Sequence, residues 1–106
     1  MTHTNALELK NRLENGEHLN IIDVREQEEY DEDNIGALLL PLSSVKNYET
    51  DAIDHLKDEE VILQCRGGQR SMQAAMILEG LGFANLVNLD GGILDWRTQL
   101  GNFNIK

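Results

Sequence analysis

The sequence predicts a three-layer α/β domain with helices on both faces of a parallel sheet. Short β-branched runs alternate with segments of helical period along the chain, which implies parallel pairing through right-handed crossovers. The chain also has 106 residues, 41% apolar and 26% charged, enough for one core and too few for a second. Residues 1–106 are therefore expected to form a single domain, and neither a repeat nor a low-complexity stretch interrupts it.

The elements follow in order. Thr4 or Asn5 is placed to cap a helix whose Ala6, Leu9 and Leu13 share a face and which Asn15-Gly16 ends. LNIIDV, residues 19–24, reads as a buried strand. EQEEYDED, residues 26–33, holds six carboxylates in eight residues and reads as a short solvated helix and loop, with a docking face for a basic partner as the alternative. Residues 37–40 form a second strand, whose end Pro41 marks. Between residues 43 and 57 the pattern is mixed, and Ala52, Ile53 and Leu56 suggest a short helix.

VILQ, residues 61–64, is a third strand leading directly into Cys65. Ser71 is expected to cap a helix running to about Leu81, with Ala74, Ile77, Leu78 and Leu81 at helical spacing and Gly82 as its left-handed stop. Ala75 and Met76 make the other side apolar too, so this helix is expected to pack on both sides. Residues 86–89 are a last strand, Gly91-Gly92 a turn, and Ile93, Trp96 and Leu100 one face of a terminal helix.

Composition excludes several classes of function. The net charge is −10, which argues against nucleic acid as a ligand because phosphate backbones are held by basic surface. No apolar run approaches the roughly 20 residues of a membrane span, so no membrane association is expected. The amino terminus shows no basic segment followed by an apolar one, which predicts a cytoplasmic protein. His3, His18 and His55 are scattered and read as surface residues; with a single cysteine they provide no metal site, so neither metal nor organic cofactor is expected.

That cysteine lies in CRGGQRS, residues 65–71. The chain has nineteen acidic residues, yet none lies between Val61 and Leu78. A strand-loop-helix passage puts Cys65 at the carboxyl end of a strand, where open parallel sheets bind ligands. Gly67 and Gly68 let successive N–H groups of the loop, from Arg66 through Gln69 and Arg70 to Ser71, point inward as an anion nest, and the next helix adds its positive end. Arg66 and Arg70 add full charges. Each of these lowers a thiol pKa from its free value near 8.5, so Cys65 is the candidate nucleophile. The alternative is an inert buried thiol at a strand end.

In this arrangement the chain resembles the single-domain rhodanese (sulfurtransferase) family over nearly its whole length. LNIIDVREQEEY (residues 19–30), NIGALLLPL (34–42), CRGGQRS (65–71) and LDGGILDW (89–96) are similar to four family segments, in order. One place departs from the family: Asn34 stands where many members have histidine, and one residue is missing beside it. The resemblance implies a rhodanese-like three-layer domain, a central parallel sheet of about five short strands flanked by helices. It also implies transfer of sulfane sulfur from a donor such as thiosulfate to cyanide or a thiol, through a Cys65 persulfide. Arg66 would attract the anionic donor, a small sulfur-containing anion, and Arg70 would close the loop or share that contact. Asp23 and Arg25 would support the strand end, the alternative being a solvated ion pair. Two other readings remain. One is a sulfur carrier or docking module loaded by protein partners. The other is a phosphatase or arsenate reductase; related enzymes of that kind place five residues between cysteine and arginine after a histidine, whereas here four separate Cys65 from Arg70 and Gln64 precedes it.

Overall fold

The computed structural model describes residues 1–105. Five strands make one parallel sheet: β1 (Thr2–Thr4), β2 (Ile21–Asp23), β3 (Leu38–Leu39), β4 (Glu60–Gln64) and β5 (Asn85–Leu89), in the spatial order β1-β5-β4-β2-β3. The helices are α1 (Ala6–Glu14), α2 (Gln27–Glu32), α3 (Leu42–Lys46), α4 (Gln69–Gly80) and α5 (Gly92–Leu100), with a 3₁₀ turn at Asp51–Leu56. Among the described residues no helix is long and apolar enough to cross a membrane.

The pleat explains the strand sequences. Ile22, Val61, Leu63 and Leu86 face one core, shared with α3, the 3₁₀ turn and α4, while Ile21, Ile62 and Val87 face a second, shared with α1 and α5. Both faces of β4 are covered, so its Val61, Ile62 and Leu63 are all buried and read as a continuous apolar run. Trp96 fills the second core without exposure, and its Nε1 donates to the Phe103 carbonyl at 2.7 Å. Each such side chain contributes about 1.5–3 kcal/mol by leaving water.

Four sequence expectations change. Thr2–Thr4 is an edge strand paired with β5, and Asn5 alone caps α1, its side chain accepting from the Glu8 N–H at 3.0 Å. The region from 43 to 57 holds α3, starting already at Leu42 behind Pro41, and then the separate 3₁₀ turn. Helix α4 begins at Gln69, with Gly68 as its cap in the left-handed region (φ 109°), so that the chain turns from loop into helix two residues before Ser71. Its buried residues, Ser71, Ala74, Ala75 and Leu78, form one stripe; Met76 is 72% exposed, because a helix on the outer layer has solvent behind it.

Candidate functional site

Strand β4 ends at Gln64 and delivers Cys65, 1% exposed, to the floor of the loop. The Gly68 N–H donates to Cys65 Sγ at 3.0 Å, and Ser71 Oγ lies 3.4 Å from the same sulfur. Burial pushes the thiol pKa up. The Ser71 hydroxyl and the N–H groups of Ser71, Gly68 and Gly67 push it down, and together they win, leaving it below the ordinary cysteine value. The arrangement places the Gly68 N–H and the Ser71 hydroxyl around one sulfur.

The first turn of α5 holds the cradle from outside. Ile93 N–H donates to the Cys65 carbonyl at 2.9 Å, and Leu94 N–H to that of Arg66 at 3.2 Å. These two carbonyls lie so close to Gly92 (φ 56°) that a Cβ there would overlap both, so this position requires glycine. From below, Gln64 Nε2 donates to the Cys65 carbonyl at 2.9 Å, and Gln64 is fully buried.

The two loop arginines differ. Arg66 is exposed, and among the described residues its guanidinium joins no ion pair. It borders a hollow of about 420 Å³ shared with Arg25, Glu29, Glu32, Asp33 and Arg97. Arg70 instead grips Glu29 of α2 with two bonds, 2.6 and 2.8 Å, and holds that carboxyl down at about 2. The loop is free of acids along the chain, yet a carboxylate from 41 residues earlier meets it in space. Arg70 therefore ties the start of α4 to α2. Gln69 is exposed at the rim.

Asp23 and Arg25 form a buried bidentate pair, not a solvated one. Arg25 Nε and Nη2 reach the Asp23 carboxylate at 2.8 to 3.2 Å, and neither residue exceeds 4% exposure. Arg25 also donates to the carbonyls of Glu29 and Asp33, which anchors the end of α2 beneath the site. Asn34 serves its own turn: its Nδ2 donates to the Tyr30 carbonyl and its Oδ1 accepts from the Gly36 N–H, both at 3.0 Å.

The sequence reading missed Glu29, Gln64, Gly92 and Asn88 as site residues. Asn88 lies buried on β5, accepts from the Ser71 hydroxyl through Oδ1 and donates to Asp90 through Nδ2 at 2.8 Å. The available signal was a lone amide at an inward position of NLVNL, two residues after Leu86. A larger hollow of about 680 Å³, lined by His18, Leu19, Leu38 and Phe103 among others, lies at the amino ends of the strands, away from the loop. Among the described residues no cluster of three His, Cys, Asp or Glu stands ready for a metal.

Comparison with known proteins agrees with this geometry. The family description "Rhodanese-like domain" matches residues 5–99. The chain is 36% identical over 88 residues to "Putative sulfur carrier protein YrkF" of Bacillus subtilis (strain 168), covering 82% of this chain and 46% of that protein, so it spans about half the length of this relative. It is 34% identical over 89 residues to "Sulfurtransferase" of Allochromatium vinosum, covering 83% of this chain and 80% of that one. The crystal structure of a rhodanese-like domain protein from Staphylococcus aureus superposes with a TM-score of 0.80 at 32% identity, over 91% of each chain. With the family description running from the first turn of α1 to the last of α5, and whole-length likeness to a solved member, the chain belongs to the rhodanese-like domain family.

Proposed function

We propose that the chain moves sulfane sulfur through a persulfide on Cys65. The observation that carries this reading is the sulfur itself, buried and met by the Gly68 N–H at 3.0 Å in a cradle that depresses its pKa. Cys65 thiolate attacks the outer sulfur of thiosulfate; the new Cys65–sulfur bond forms as the donor's S–S bond breaks, and sulfite leaves with the electron pair. Cyanide or a thiolate then takes the terminal sulfur, and the electron pair of the breaking S–S bond returns to Cys65. Arg66, exposed at the rim, attracts the donor anion, while the N–H groups of Gly67, Gly68 and Ser71 hold the negative sulfur. Likeness to a sulfurtransferase supports the reaction class.

Incubation with thiosulfate followed by mass spectrometry tests the reading: one added sulfur on the native chain, removed by cyanide, and none on Cys65→Ser. A folded chain that stays unmodified with thiosulfate and with a persulfide donor would exclude it.

A second reading, a carrier loaded by a protein partner, is favoured by the burial of Cys65, the acidic exposed face of α2 and the likeness to a protein described as a sulfur carrier. Slow turnover with thiosulfate but fast exchange with a persulfide-bearing cysteine desulfurase would select it.

A further inference from the structure

The Ser71 hydroxyl has one proton and three acceptors around it. They are Asn88 Oδ1, the Gly68 carbonyl at 3.0 Å and Cys65 Sγ at 3.4 Å. The closest approach is to Asn88. The amide of Asn88 has its orientation fixed, since Nδ2 donates to Asp90 Oδ1 at 2.8 Å and a carboxylate only accepts. His3 Nδ1 meets the same Asp90 oxygen at 2.8 Å, and His3 sits beside Asn88 in the β1–β5 pairing. A continuous hydrogen-bonded path thus runs from the sulfur to the edge of the sheet.

We propose that Asn88 is a positioning residue for Cys65, which competes with the sulfur for the Ser71 proton. The inference rests on Cys65 being the reacting sulfur. In the thiol state the S–H donates to Ser71 Oγ and Ser71 donates to Asn88, so that every donor has an acceptor. The persulfide state is equally satisfied, because its charge lies on the outer sulfur and the inner one asks nothing of Ser71. Only the free thiolate calls for a donor beyond the loop N–H groups, and Ser71 can turn to it solely by leaving the buried Asn88 oxygen unpaired. Asn88 thereby disfavours the one state that attacks and keeps its nucleophilicity high, since nucleophilicity falls as a thiol's pKa falls. The other charged groups near the loop include Arg66, the Arg70–Glu29 pair of α4 and α2, Glu26 and Glu32 beside them, the Asp23–Arg25 pair after β2, Asp95 of α5, the Arg97–Asp33 pair, and Asp90 with His3.

The rate of alkylation by iodoacetamide against pH, on the full chain, reads this directly and does not require sulfur loading to occur. Asn88→Ala is expected to lower the titration midpoint by roughly 0.5–1 unit, the value of one hydrogen bond to the sulfur, and to lower the plateau rate at high pH. Ser71→Ala removes the group through which Asn88 acts, so Asn88→Ala added to it is expected to change nothing further. A midpoint that stays or rises in Asn88→Ala, or the same fall when Ser71 is already alanine, would overturn the proposal. Should Asn88→Ala fail to melt cooperatively, Asp90→Ala decides: freeing the amide to turn its NH₂ toward Ser71 should lower the midpoint only while Ser71 is present, and a fall independent of Ser71, or none, rejects the role.

Discussion

The surroundings of Cys65 come from several parts of the chain: Gly68 and Ser71 from its own loop, Asn88 from β5, Gly92 and Ile93 from α5. The local part was legible in CRGGQRS, because a strand, two glycines and a helix start lie within seven residues. The distant part was not, because nothing in the local pattern of residues 26–33 reveals that Glu29 alone among six carboxylates will meet Arg70. Two outcomes test these residues. Gly92→Ala puts a methyl group onto the Cys65 and Arg66 carbonyls and should cost about 2–4 kcal/mol in urea unfolding, with loss of sulfur loading in whatever remains folded. Glu29, held near 2 against an ordinary 4.5, stabilises the fold fully above its ordinary value, and that contribution disappears as pH falls through about 2. The difference in melting temperature between the native chain and Glu29→Gln should therefore be largest near neutral pH and close to zero at pH of about 2.

At the scale of elements, the strands were read from their apolar runs and the helices from their spacing, and the failures have physical causes. Strand β1 is Thr-His-Thr, an edge with only Thr4 buried, so it has no apolar signature; pairing with β5 defines it. The extent of α4 was misjudged because Ser71 is a good capping residue in isolation. Gly68 makes the turn first and frees the Ser71 hydroxyl for the site. The apolar side chain of Met76 suggests a second packed face, which an outer-layer helix does not have. Met76→Lys should accordingly leave stability within ~0.5 kcal/mol in urea unfolding. Ala75→Lys, one residue away on the buried stripe, should unfold the domain at ordinary temperature, because a charge would enter the core.

Taken whole, the molecule is strongly acidic, and the hollow beside Arg66 sets three arginines, Arg25, Arg66 and Arg97, against three carboxylates, Glu29, Glu32 and Asp33. On the proposed reading, its general field repels an anionic donor at long range, while Arg66 attracts it at short range. Screening acts first on distant charges, since the Debye length is about 10 Å at 0.1 M salt. Thiosulfate loading on the native chain should therefore hold or rise modestly from low to 0.2 M salt, measured by sulfite release, with Arg66→Gln slower throughout. Loading from a basic protein donor should instead fall over the same range, which separates the two readings of the site by one titration.

The grip of α5 on the loop carries a consequence for how the protein comes into being. Ile93 and Leu94, supplying N–H groups to Cys65 and Arg66, are made well after them, and β5, which holds Asn88, precedes α5 only slightly. Contacts so distant in sequence close late in folding, after the loop entropy between them has been overcome. A nascent chain that has exposed CRGGQRS but not GGIL carries a cysteine with neither cradle nor cover. The enclosed site around Cys65 therefore waits on the synthesis of α5.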